Sequence, residues 1–285
     1  MTVRRHLITG DPVVFAPERA GRPHAFIDDE REELCPFCPG NESQTPPEIL
    51  RVGEPSRWSV RVFPNKYPAV EGHEVIVESP DHDASFDSIA DAAAVVRVYV
   101  GRYRALSSRP GVKYTALFKN HGRFGGASIP HVHSQIAALP FVPPRVEREG
   151  DAFARAPDCP LCAAIGAHRR DGLVIREGAS FVWLAPSTPT FAYQQWIVPK
   201  QHQNEMAAFG EDEQRDLTVL LQASAAAMRA ISPSHNWLFL NFPGEPSAHA
   251  YVDLFPRVTN VAGFELETGT YIDVVDPAET VRLMR

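Results

Sequence analysis

The chain has 285 residues, of which 44% are hydrophobic and 22% charged, with a formal net charge of −7. That is the composition of a soluble globular protein long enough to bury a sizeable core as one large or two small domains. The acidic balance and the dispersed Lys and Arg argue against a nucleic-acid-binding face, and no apolar run is long enough to span a membrane.

Met1–Phe15 lacks the apolar segment of a secretory signal, so a cytoplasmic location is expected, and with it reduced cysteines. The four cysteines form two pairs of one pattern, Cys35-Pro36-Phe37-Cys38 and Cys159-Pro160-Leu161-Cys162. In a reducing compartment such pairs point to metal, and a tetrahedral zinc site needs two further ligands for each. Histidines follow each pair at matched intervals. Cys38 is followed by His82 after 44 residues and by His131 after a further 49; Cys162 is followed by His202 after 40 and by His249 after a further 47. Two Cys2His2 zinc sites are therefore expected: Cys35, Cys38, His82 and His131, then Cys159, Cys162, His202 and His249.

The segments between these ligands repeat as well. Asp83–Ser107 and Gly210–Ile231 are Ala-rich with apolar residues at helical spacing, and each predicts a helix. Strand-like runs follow: Tyr114–Lys119 and Ile136–Leu139 in the first half, Trp237–Asn241 and Ala250–Phe255 in the second. The chain thus carries an internal duplication. Phe141–Ala156, with Pro143, Pro144 and mixed charge, is expected to link the halves, giving units 1–145 and 146–285.

The densest chemistry lies in Ile129-Pro130-His131-Val132-His133-Ser134-Gln135, entered through the small-residue turn Gly125-Gly126-Ala127-Ser128. On a strand, His131, His133 and Gln135 would share one face. One imidazole can attack phosphorus, the other can hold a metal, and the amide can bind a phosphate oxygen. In the second half His249-Ala250-Tyr251 replaces the paired histidines and Asp253 stands in place of Gln135, so only the first half is expected to be catalytic.

With these motifs in order, the chain resembles the galactose-1-phosphate uridylyltransferase family, the transferase branch of the histidine-triad (HIT) superfamily. The resemblance runs nearly end to end. It includes Leu7-Ile8-Thr9-Gly10-Asp11-Pro12-Val13-Val14, Ala16 to Pro23, Arg61 to Ala69, Ser79-Pro80-Asp81-His82, Gly125 to Gln135, and Ala262-Gly263-Phe264-Glu265-Leu266. It implies an α+β fold of two tandem HIT-like halves, each a mostly antiparallel sheet with a helix packed across it.

The resemblance also implies that His133 is the nucleophile and Gln135 a phosphate-steadying amide. A nucleotide sugar would nucleotidylate His133, and a second phosphate would take the group away in a ping-pong reaction. An amide where HIT hydrolases have a third histidine cannot shuttle a proton, which favours phosphate acceptors over water. By the same resemblance Arg19, Arg22, Phe63, Asn65, Asn120, Gly126, Ser128, Phe264 and Glu265 would bind substrate. The first zinc site would be structural, and a homodimer is implied.

The leading expectation is a UDP-glucose:hexose-1-phosphate uridylyltransferase of galactose metabolism. Lys66 and Phe264 depart from the family's usual Asp and Tyr, and these departures open the alternative of an ADP-sugar or dinucleoside-polyphosphate phosphorylase. A zinc-stabilised nucleotide-binding protein without catalysis is the third reading.

Overall fold

A computed structural model of the chain describes residues 2–17 and 34–285. An exposed two-stranded ribbon, β1 (Thr2–Arg5) and β2 (Pro12–Phe15), comes first. The first half then contributes β3 (Leu50–Glu54), β4 (Arg57–Pro64), β5 (His73–Val77), α1 (Ala92–Ser107), β6 (Tyr114–His121) and β7 (His133–Leu139). After α2 (Pro144–Arg155) and α3 (Pro160–Arg170), the second half contributes β8 (Val174–Glu177), β9 (Phe181–Leu184), β10 (Gln195–Pro199), α4 (Glu211–Ile231), β11 (His235–Leu240) and β12 (Tyr251–Pro256). Two short helices, α5 (Gly263–Thr268) and α6 (Pro277–Met284), end the chain.

Ten strands form one antiparallel sheet in the order β3-β4-β5-β7-β6-β11-β12-β10-β9-β8. The order in the second half mirrors that in the first, and the seam is the β6–β11 pairing, where His121 lies opposite His235 and Leu117 opposite Phe239. The duplication therefore yields one continuous α+β sheet with two related halves. Among the described residues no helix is long and apolar enough to cross a membrane.

Local chemistry explains the two long helices. Asp91 caps α1 by accepting the Ala94 N–H at 3.0 Å, and α1 buries Val95, Tyr99, Val100, Tyr103 and Leu106 on one stripe. In α4 the Glu213 carboxylate accepts the Gly210 N–H at 2.6 Å, and Leu217, Leu220, Leu221, Ala225 and Met228 face inward. Both stripes pack on the same face of the sheet in the main core, with Trp183, Trp237 and Phe86. The opposite face is covered in two pieces. Phe37 packs with Trp58, Phe63, Val75 and Val77 over the first half, while α2 and α3 bring Val146, Phe153, Leu161 and Ile165 down over the second.

Two details depart from the sequence reading. The expected linker is largely the helix α2, entered from Pro143 with Pro144 at its first position; there proline's missing N–H costs no hydrogen bond, so the pair starts a helix instead of breaking one. The strand β7 begins at His133, so His131 precedes it and does not share its alternation.

The seam carries an acid-sensitive pair. His121 and His235 stack with ring centroids 4.6 Å apart. Burial and then Lys119 push His121 down from 6.5 to about 4, and burial and then His121 hold His235 well below the usual imidazole range. Both imidazoles are therefore held in the neutral form by the fold and take up protons near pH 6.5 more readily when it unfolds, so their contribution is complete above that pH and falls as pH drops below it, for His121 down to about 4. His121 alone accounts for on the order of 2–3 kcal/mol. Urea unfolding should show stability falling between pH 6.5 and 4, with a shallower slope in His235→Leu. An unchanged slope in that variant would trace the acid sensitivity to other groups.

Candidate active site

On β7, His133 and Gln135 point to the face covered by Phe37, while Ser134 points to α1. The Phe37 and His133 rings meet in a T-shaped contact, centroids 5.3 Å apart, and Phe37 also leans on Phe63 at 5.6 Å. His133 is 5% exposed. Its Nδ1 lies 2.7 Å from the carbonyl oxygen of His131. A carbonyl only accepts, so Nδ1 carries the proton and Nε2 carries the lone pair of the neutral ring.

Gln135 is oriented by a residue the sequence reading did not select. Nδ1 of His73 accepts the Ala69 N–H at 3.0 Å, so its Nε2–H donates, and it reaches Oε1 of Gln135 at 3.0 Å. Nδ2 of Asn65 donates to the same oxygen at 3.4 Å, while Oδ1 of Asn65 accepts the Tyr67 N–H. The Gln135 carbonyl is thereby engaged, and its amino group is the end directed elsewhere as a donor.

The turn beside these residues is sterically set. A Cβ on Gly125 would sit 2.2 Å from the His121 carbonyl oxygen, so only glycine fits there. Gly126 has φ +82°, in the left-handed region. Asn236 holds the turn by donating through Nδ2 to Oδ1 of Asn120 and to the Gly125 carbonyl, both at 2.8 Å. Asn120 and Gly126 are thus neighbours, and Ser128 follows in the same turn. Phe264 and Glu265 lie apart on the exposed α5, where Glu265 accepts the Ala262 N–H at the helix start. Arg19 and Arg22 lie outside the described residues.

Both Cys2His2 sets assemble, with the ligand atoms of each within 4.8 Å of one another. In the first set the Sγ–Nδ1 separations are 3.7 Å for Cys35–His131, 3.3 Å for Cys38–His82 and 3.6 Å for Cys38–His131. In the second they are 3.7 Å for Cys159–His249 and 3.4 Å for both Cys162–His202 and Cys162–His249. Tetrahedral bonds of about 2.3 Å to sulfur and 2.0–2.1 Å to nitrogen place such atoms about 3.6 Å apart, so both sets fit a metal ion. The tautomers agree. Nε2–H of His131 donates to the Ser79 carbonyl at 2.7 Å, that of His249 to Pro199 at 3.0 Å and that of His202 to Pro246 at 2.9 Å, which turns each Nδ1 lone pair toward the thiols. Burial and then the neighbouring cysteine push the Cys38 and Cys162 thiols up to about 11, so a bound cation is what would make them thiolates near neutral pH.

The matching place in the second half is closed. Tyr251, at the position of His133, donates to Glu149 at 2.9 Å, and Arg145 donates to Tyr251 and Asp253 at 3.2 and 2.8 Å. Nε2 of Gln194 donates to the other Asp253 oxygen at 2.6 Å, repeating the His73–Gln135 contact of the first half. Arg145 and Glu149 of α2 thus both bond into this site and engage Tyr251 and Asp253.

Comparison with known proteins places the chain among relatives of similar sequence and fold. The family described as "Domain of unknown function (DUF4921)" matches residues 84–284, and the DUF4931 N-terminal domain matches residues 20–142. The ADP-glucose phosphorylase of Arabidopsis thaliana is 30% identical over 99% of this chain and 92% of its own length. The crystal structure of an ADP-glucose phosphorylase from that plant with bound ADP-glucose superposes with a TM-score of 0.80 over 100% of this chain and 98% of that one, at 30% identity. The galactose-1-phosphate uridylyltransferase of Thermotoga maritima is 24% identical over 100% of this chain and 98% of its own. The chain belongs to the DUF4921 family and to the galactose-1-phosphate uridylyltransferase-like nucleotidyltransferases and phosphorylases of the histidine-triad superfamily.

Proposed function

We propose that this protein is a nucleotide-sugar phosphorylase that transfers an adenylyl group through His133. The observation that carries the reading is the Nδ1–H···O=C bond of His133, which fixes the tautomer with its lone pair on Nε2, the atom that attacks in this reading. Nε2 attacks the α-phosphorus of an ADP-sugar and the bond from that phosphorus to the bridging oxygen breaks. The sugar 1-phosphate departs with the electron pair, already a good leaving group without a general acid. An oxygen of inorganic phosphate then attacks the nucleotidyl phosphorus, the P–N bond breaks, and ADP and neutral His133 result.

In this reading the Gln135 amino group donates to a non-bridging α-phosphate oxygen, and the turn of Gly126 and Ser128 cradles the phosphates. Phe63 and Asn65 lie beside the base and ribose, with Asn120 next to the turn, and Arg19 and Arg22 face the phosphates. Phe264 and Glu265 contact sugar, from a partner subunit of a homodimer; the exposed apolar tip of the β1–β2 ribbon, Leu7 and Ile8, suits such an interface. Residues 1–145 form the catalytic half and 146–285 the degenerate one. Zinc would occupy both Cys2His2 sets as a structural ion, since all four positions of each are filled by protein.

Adenine is favoured by the 30% identity to an ADP-glucose phosphorylase over nearly the whole chain. A uridylyl-transferring enzyme acting on hexose 1-phosphates is the second reading, favoured by the full-length match to the Thermotoga enzyme. Intact-protein mass spectrometry after mixing with ADP-glucose or UDP-glucose, with no acceptor, separates them. An AMP adduct on His133 is expected; a UMP adduct alone would move the assignment to uridylyl transfer. No adduct with either donor on metal-replete protein would remove the covalent mechanism.

A further inference from the structure

Directly beneath His133, on the α1 side of the sheet, lies a fully buried polar network. Lys119 on β6 pairs with Glu78, and both are 0% exposed. The other Glu78 oxygen accepts from the Tyr99 hydroxyl and from Ser134, and Tyr99 and Ser134 are themselves 2.7 Å apart. Nζ of Lys119 also donates to the main-chain carbonyl of His133 at 3.2 Å. The network therefore grips the chain at His133 and again at Ser134. The Glu78 N–H, in turn, donates to the Val132 carbonyl at 3.2 Å.

The duplicated half supplies an internal control. Phe118 pairs with Gln135 in the first half and Leu238 with Asp253 in the second, so the counterpart of Lys119 is Phe239. The counterpart of Ser134 is Val252, next to Tyr251. Phe239 and Val252 are both buried in the main core, and the matching end of β10, Val198–Pro199, carries no carboxylate. The same sheet therefore folds with apolar residues at these places. A buried ion pair brings little net stability over apolar packing, because desolvation offsets the attraction. Folding alone gives no reason to retain one where the duplicate has Phe and Val.

We infer that Lys119, Glu78, Tyr99 and Ser134 are positioning residues that fix the backbone of His133 so that its Nε2 meets phosphorus in line. This rests on the nucleotidyl-His133 reading. A reacting atom displaced by about 1 Å can lose roughly a hundredfold in rate, so a rigid main-chain clamp suits a nucleophile whose imidazole is tied to the main chain two residues before it.

The test is the pre-steady-state rate of adduct formation in Lys119→Met/Glu78→Gln, which removes both charges together and strands neither. Adduct formation at least about tenfold slower is expected, with the half-saturating donor concentration, melting temperature and metal content unchanged. A merely structural network would lower stability or metal content and leave the rate per folded molecule alone. Wild-type rate in the double variant overturns the inference. If that variant folds poorly, Ser134→Ala decides: it leaves the Lys119–Glu78 pair intact and should still slow the adduct severalfold, and an unchanged rate overturns the clamp. Wild-type protein that forms no adduct would instead sink the proposed reaction itself, so the two failures are distinguishable.

Discussion

Replacing His133 with alanine should abolish nucleotidyl transfer, by at least roughly a thousandfold, while leaving fold and metal content in place. Among the described residues, the side chains bonded around Gln135 offer no second nucleophile. Gln135 and Asn65 are amides, and His73 has its Nδ1 engaged by a backbone N–H and its Nε2 carrying the proton given to Gln135. The structural cost is small. Among the interactions lost are the bond from Nδ1 to a carbonyl two residues away and the T-shaped contact with Phe37. Together these are worth on the order of 1–2 kcal/mol. The check is acceptor-free mass spectrometry beside thermal melting and metal analysis. A His133→Ala protein with normal turnover would falsify the mechanism; one that melts far below wild type would show that His133 also supports the fold.

How much of this was legible in the chain differed by the range of the interactions. The metal sets were readable because residue type, order and interval repeat, and the structure brings both together. Both long helices were readable from apolar spacing, although α1 begins at Ala92 after the short 3-10 turn Phe86–Ser88, not at Asp83. The pairing of His133 with Gln135 followed from strand alternation, but His131 did not fit it, because the chain turns to the metal set before β7 begins. His73 had no local signal. Its partner is 62 residues away, and its role follows from a tautomer fixed by a loop N–H. Lys119 was hidden for a related reason. A lysine within a strand reads as solvated, and only the fold reveals the buried carboxylate of Glu78 beside it. Pro143-Pro144 read as a linker because proline both breaks and starts helices, and the sequence alone did not choose between them.

Removing metal from the first Cys2His2 set should reduce both stability and activity, whereas removing it from the second should act mainly on stability. The argument lies in what each set holds. In the first, His131 gives Nδ1 to the cluster and Nε2–H to Ser79, while its carbonyl fixes the His133 ring. Phe37, between the two cysteines, packs against His133. An ion there would tie three loops together and orient the nucleophile without touching substrate. In the second set His249 precedes Tyr251, whose hydroxyl is held by Glu149 and Arg145 and which faces no reacting group. Metal binding in such sites is folding free energy, and the thiols, pushed up to about 11, lose their reason to ionise without a cation. Cys38→Ala should therefore lower unfolding free energy by on the order of 3–5 kcal/mol and slow adduct formation by about ten- to a hundredfold. Cys162→Ala should lower stability, by less because Cys162 and His202 are exposed, and keep the adduct rate within about twofold. Melting curves, metal content and adduct rates measured on both variants separate the two roles. A Cys38→Ala protein that is metal-free at the first set yet reacts at the wild-type rate would show that the cluster supports the fold and does not aim His133.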